Sequence, residues 1–183
     1  MGLSNPMRWN SIVTAFLLAM LLFPCLFGCS AGQTQGNSDS CPWIQVIDSG
    51  IQGVSTGREP SVTWITSPAQ LQQMIADFGK QRITKFSASS ADIDFDLYRV
   101  LLIEMGLKPT GGYSVTLANP AASASDGTAI IRVIWNVPDA GAVLPQVVTS
   151  PYLLLRLAKS EYRRVLVVDQ ENRTLFEMNV PEF

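Results

Sequence analysis

Leu97-Tyr98-Arg99-Val100-Leu101-Leu102-Ile103-Glu104-Met105 is the stretch on which the fold turns. Only Arg99 and Glu104 interrupt the apolar run, which is what a central strand looks like. Downstream the pattern changes to alternation. Tyr113, Val115 and Leu117 alternate with Ser114 and Thr116. Ala129, Ile131, Val133 and Trp135 alternate with Ile130, Arg132, Ile134 and Asn136. Ser125-Asp126-Gly127 supplies a turn between those two strands. Leu153, Leu155 and Leu157 then face one way, and residues 163–168 and 174–178 read as a hairpin around 169–172.

Upstream, residues 43–47 read as a first strand, Gly50, Gly53 and Gly57 as a loop, and residues 61–65 as a short strand. The clearest helix follows. Ser67 can cap it, Pro68 suits its first position, and Gln70 completes a capping-box pattern. Leu71, Met74, Ile75 and Phe78 fall on one stripe at helical spacing, read as core contact, and Gly79 marks the stop. The expectation is an α+β chain, mostly β: one globular domain over 43–183. It should hold about seven antiparallel-type strands, β-sandwich-like, with one short amphipathic helix near 67–79.

The N-terminus reads differently. Arg8 precedes an apolar run from Ile12 to Phe23, broken only by Thr14. The run has the length of a signal-peptide core and falls short of the ~20 residues that span a bilayer. It ends in Leu26-Phe27-Gly28-Cys29-Ser30, which resembles the bacterial lipobox. The expectation is that residues 1–28 are a cleaved signal and that Cys29 becomes the acylated N-terminus. Pro24 before Cys25 would obstruct cleavage at that competing cysteine. Two or three acyl chains, at about 0.8 kcal/mol per buried CH₂, would hold the protein on a membrane. Ser30 fits an outer membrane facing the periplasm if the source is Gram-negative. Residues 30–40, Ser-Ala-Gly-Gln-Thr-Gln-Gly-Asn-Ser-Asp-Ser, form a polar tether within 29–42. Cys41 would be the one free thiol of the mature chain, which excludes an internal disulfide.

Composition narrows the chemistry. The chain of 183 residues carries a formal net charge of −2, with no basic stripe to point to nucleic acid. It has no histidine, which removes the commonest general base and a Ser-His-Asp triad. No Ser-x-x-Lys occurs. Asp92, Asp94 and Asp96 would share one face of an extended chain, but Leu97 and Ile103 stand where a calcium loop needs glycine and glutamate. That trio reads as a solvated strand edge. No catalytic residue, metal or cofactor is assigned.

Between the strands lies Gly106-Leu107-Lys108-Pro109-Thr110-Gly111-Gly112-Tyr113. Pro109 stiffens it, and Gly111 and Gly112 permit positive φ. Successive amides beside Lys108 can form an anion-binding concavity, or the segment can be a purely structural turn.

The same residues carry a resemblance. Gly106 to Val115 resembles the Gly-x-Lys-Pro-Thr-Gly-Gly-Tyr-Ser-Val signature of the PrcB C-terminal domain, a protease-complex-regulatory lipoprotein family. Asp94-Phe95 resembles its Asp-Phe opening, and Thr149-Ser150-Pro151-Tyr152 its Thr-x-Pro-Tyr element, so the resemblance covers about 92–159. It implies a non-catalytic, membrane-anchored lipoprotein of the cell envelope, an interaction or accessory module for an envelope protease complex. The loop's own composition, two adjacent glycines, a stiffening proline and a lysine between two core strands, makes Lys108, Pro109, Thr110, Gly111, Gly112 and Tyr113 the candidate interaction loop. Two alternatives stand beside it. The loop also resembles the Asn-Pro-Thr-Thr-Gly-Tyr loop of chagasin-type cysteine-protease inhibitors, with Lys108 in place of asparagine and no Arg-Pro-Trp loop. The other alternative is an envelope enzyme that works without histidine.

Overall fold

The computed structural model describes residues 43–81 and 93–182. The leader 1–28, Cys29, the tether to residue 42 with Cys41, and Asp92 lie outside the described residues. Within them the order is β1 (Ile44–Gly50), β2 (Ser61–Ile65), α1 (Pro68–Gln81), β3 (Tyr98–Glu104), β4 (Ser114–Ser125), β5 (Thr128–Asn136), β6 (Tyr152–Ala158), β7 (Arg164–Val168) and β8 (Thr174–Asn179). The strands form two four-stranded sheets, ordered β1-β6-β3-β2 and β4-β5-β7-β8.

The burial of each strand follows its place. Leu101 and Ile103 of β3 and Leu153, Leu155 and Leu157 of β6 pack against Ile131 and Val133 of β5 and Val165 and Val167 of β7. This is the sandwich core. On the other face of the first sheet, Val100, Leu102, Tyr152 and Leu154 meet Leu71, Met74 and Phe78 of α1. β3 and β6 are thus covered on both sides, which is why they read as unbroken apolar runs. β5 has one covered face: Ala129, Ile131 and Val133 are buried while Ile134 is exposed. Each buried Val, Leu or Ile side chain contributes about 1.5–3 kcal/mol. The fold is mostly β and α+β, as expected.

Several details depart from the sequence reading. Among the described residues there are eight strands, and β5 pairs with β7 in parallel, Thr128 opposite Arg164 to Arg132 opposite Val168. After β5 the chain crosses to the first sheet for β6 and returns for β7, and two reversals restore the direction. β1 continues to Gly50 because it pairs with β6 beyond a bulge between Val46 and Asp48. β4 runs on to Ser125 across a register shift between Leu117 and Ala122. The helix passes Gly79 to end at Gln81, since one glycine in a last turn costs only about 1 kcal/mol. Its start follows the expected chemistry with one change. The Ser67 hydroxyl accepts from the Gln70 amide at 3.3 Å, but the Gln70 side chain accepts from the Thr66 amide, at 2.8 Å, instead of from Ser67.

The turns show side chains choosing backbone. Asp126 and Gly127 both take positive φ, 51° and 71°, which makes the β4–β5 link a type I′ turn that matches strand twist. At the β7–β8 turn, Asp169 is 1% exposed and accepts from the amides of Glu171 and Arg173, each at 2.9 Å, and from Arg173 Nε at 2.7 Å. Burial alone would raise its pKa, but the Arg173 guanidinium and the two amides outweigh that and hold it below the usual carboxylate range. Asp94 and Asp96 do not share a strand face. Asp94 Oδ1 accepts from the Asp96 amide at 2.8 Å, and the Asp94 carbonyl accepts from the amides of Leu97 and Tyr98. An aspartate that bonds its own backbone two residues on favours a turn over a strand.

Candidate functional site

The 106–113 loop leaves β3 under tight constraint. Gly106 has φ +76°, and a Cβ there would sit 2.5 Å from the Arg58 carbonyl oxygen, so only glycine fits. The Leu107 amide donates to the Gly57 carbonyl at 2.8 Å. Lys108 forms an isolated antiparallel bridge with Thr149, its amide donating at 2.7 Å and its carbonyl accepting at 2.9 Å. The Thr149 hydroxyl donates to the Thr110 carbonyl at 3.1 Å, and the Gly111 amide donates to the Pro145 carbonyl at 3.0 Å.

Gly112 closes the loop at φ +88°, where a Cβ would come 2.9 Å from Leu144 Cδ2, and Asn136 Nδ2 donates to its carbonyl at 2.6 Å. Of the adjacent pair, Gly112 takes positive φ. Gly111 is needed for closeness, since its Cβ would press on the Pro145 ring at 3.4 Å. Three amides that an anion-binding concavity could use are engaged elsewhere. The amides of Leu107, Lys108 and Gly111 donate to carbonyls of the 57 and 145–149 segments, and Pro109 has no amide hydrogen. The loop is a strap docked on residues 138–149. Pro109 is exposed at its crest, and Tyr113 packs half-buried against the sandwich core. The Lys108 ammonium lies 5.9 Å from the Tyr113 ring centroid, a contact worth about 0.5–1 kcal/mol at an exposed site.

Two supporting features escaped the sequence reading. One is the holding segment itself. Val137, Val143, Val147 and Val148 are exposed, Val143 completely, in the segment whose Pro138, Leu144 and Pro145 lie against the strap. The signal was Ala142-Val143-Leu144-Pro145-Gln146-Val147-Val148, an apolar run whose proline and neighbouring Gly141 deny it a strand in which to be buried. The other is Glu104, the lone acid near the end of β3. It is 5% exposed, and its Oε1 accepts from the Ser55 amide at 2.8 Å, tying the 53–59 segment beneath the strap. Burial pushes its pKa up, against the lowering effect of the Ser55 and Val54 amides and the Ser61 hydroxyl. Ser150 Oγ, buried nearby, has no hydrogen-bond partner.

The site therefore offers one cation, hydroxyls and exposed valines on a rigid backbone. Among the described residues, no group of three or more His, Cys, Asp or Glu could hold a metal ion.

A helix-backed β-sandwich presenting a glycine-dependent strap is the class that this fold and surface define. Residues 99–158 match the model of the family described as PrcB C-terminal. The match begins in β3, ends with β6, and takes in the strap and the whole segment that braces it. No curated protein and no solved structure matches the chain.

Proposed function

We propose that this protein is a non-catalytic lipoprotein, anchored through acylated Cys29 in the cell envelope, that serves as an accessory module for an envelope protease complex. In a Gram-negative source the anchor would place it on the outer membrane, facing the periplasm. The match of residues 99–158 to the PrcB C-terminal family carries this reading, because the strap lies within that segment. The surface is suited to it. Loops held rigid by a β scaffold bind with little ordering cost, and exposed apolar side chains beside them mark contact sites on soluble domains. Lys108, Pro109, Thr110 and Tyr113 would make the contact, with Val143, Val147 and Val148 beside them. Gly111 and Gly112 would hold its shape.

The test is co-purification. Tagged wild-type and Lys108→Ala chains are expressed in the source organism, and the proteins retained with each from solubilised membranes are identified. Lys108→Ala should shift stability by no more than about 1 kcal/mol, since it trims a part-buried side chain and removes one cation–π contact while the backbone bridge to Thr149 stays. It should nonetheless lose a peptidase subunit that the wild type retains. An identical set of retained proteins would show that the strap is architecture only.

A further inference from the structure

β5 outruns its neighbour. Its parallel pairing with β7 ends at Arg132 opposite Val168, but β5 continues to Asn136. Over residues 133–136 it pairs with β4 on one side. On the other side, side chains of the β7–β8 turn take the place of a strand. Gln170 Oε1 accepts from the Trp135 amide at 3.0 Å, and Gln170 Nε2 donates to the Trp135 carbonyl in a weaker bond of 3.4 Å. One side-chain amide thus makes both bonds that a further strand residue would make. At the last paired residue, Arg132 donates to the Asn172 side-chain oxygen.

The turn that carries Gln170 is itself fixed. The buried Asp169 carboxylate accepts from the Glu171 and Arg173 amides and from Arg173 Nε. The Asp169 amide donates to the Arg173 carbonyl at 3.0 Å, and the Asn172 amide to the Asp169 carbonyl at 3.1 Å. Gln170 therefore projects from a rigid base, and what it holds is the root of the strap's support. Asn136 follows Trp135 and stands opposite Ser114, the residue after Tyr113. Its Nδ2 donates to the Gly112 carbonyl at 2.6 Å. Two residues further on, Pro138 lies 3.3 Å from where a Cβ on Gly112 would be. The bracing segment 137–148 starts from this point. Asn136 and Gln170 are both exposed, so their bonds, and not burial, are what they contribute.

We propose that Gln170 and Asn136 are positioning residues for the strap: Gln170 sets the end of β5 against the β7–β8 turn, and Asn136 carries that placement to Gly112. The strap's shape then depends on a residue outside the segment 99–158 that matches the family. Only its consequence for a partner rests on the strap being the contact surface.

Hydrogen exchange read by mass spectrometry on the full-length chain in detergent tests the positioning without a partner. Two peptides are compared, one covering 106–113 and one covering 152–158 in β6. The amides of Leu107, Lys108 and Gly111 in the first donate to Gly57, Thr149 and Pro145, so it reports opening of the strap. Losing one hydrogen bond raises local opening by about two- to tenfold. Asn136→Ala should speed exchange of the strap peptide within that range, and Gln170→Ala should speed it by about twofold or more. β6 should exchange as in the wild type in both. Gln170→Glu keeps an oxygen for the Trp135 amide and should exchange more slowly in the strap than Gln170→Ala. A residue that merely stabilises the fold would speed both peptides together. Unchanged strap exchange in Gln170→Ala, strap and β6 rising alike, Gln170→Glu as fast as Gln170→Ala, or a Gln170→Ala domain that no longer folds would overturn the proposal. Retention of proteins from solubilised membranes is read separately, and Gln170→Ala should retain less of the peptidase subunit that Lys108→Ala loses. Faster strap exchange in Gln170→Ala, with a retained set that neither variant changes, upholds the positioning and sinks the partner reading alone.

Discussion

At Gly106 the backbone has φ +76° and no room for a side chain, while at Gly127 φ is +71° and a Cβ would meet nothing within 4 Å. The two positions separate conformational strain from crowding. Gly127→Ala should cost about 1–2 kcal/mol from the left-handed backbone alone. Gly106→Ala adds a clash with the Arg58 and Glu59 carbonyls and should cost clearly more, as read by urea denaturation midpoints. Equal losses would mean that the 58–59 segment yields freely. Glu104 gives a pH signature. Its folded pKa is raised, so the folded state holds the proton more tightly than the unfolded one. The stability this group contributes is therefore full below the ordinary glutamate range and is lost as pH rises through the folded pKa. Glu104→Gln keeps an oxygen to accept from Ser55 and removes the titration. Its stability should equal or exceed that of the wild type at neutral pH, with the gap closing as pH falls toward 4.5. A gap that widens on acidification would contradict the raised pKa.

Helix α1 contributes a second core as well as a surface layer. Phe78 is 1% exposed, with its ring 4.6 Å from that of Tyr152, and the Tyr152 hydroxyl donates to Asp48 at 2.8 Å. Phe78→Ala should cost about 3–5 kcal/mol, as for a fully buried aromatic. Trp135 is only partly buried, edge-on to Phe176 at 6.1 Å, so Trp135→Ala should lower the melting midpoint by less than Phe78→Ala does. Thermal melts of the two variants check the order. The helix was legible because its stripe of Leu71, Met74, Ile75 and Phe78 has one period and its cap uses adjacent residues. β4 was only half legible. Alternation stops at Leu117, and the strand resumes after a register shift that pairing with β5 imposes.

For the whole molecule, the proposed anchoring and the proposed recognition can be tested separately. Cys29→Ser should leave an unprocessed precursor that takes up no labelled fatty acid, with the fold of residues 43–182 intact by circular dichroism. Incorporation of label by the variant would refute the lipobox reading. Val143 is completely exposed, so Val143→Asp should change stability by less than about 0.5 kcal/mol. If the braced strap is the contact surface, the same variant should lose the partner that Lys108→Ala loses. Loss in one variant and not the other would confine the contact to one side of the strap.

The sequence by itself determined what is local and periodic. The strands, the helix, the Asp126-Gly127 turn and the strap signature were readable because each rests on residues close together in the chain. Tertiary structure alone decided which strands are neighbours, since an apolar alternation says that a face is buried and not against what. The parallel β5–β7 pair follows from β6 lying in the other sheet, a fact no local pattern carries. The same holds at the sites. Lys108 and Gly112 could be singled out from composition, but their hold on Thr149 and Leu144 is a contact over more than thirty residues. Arg99 looked like an interruption in a strand. Only packing shows that its Nε and Nη1 are shut away from solvent and that its guanidinium lies over the Tyr162 ring.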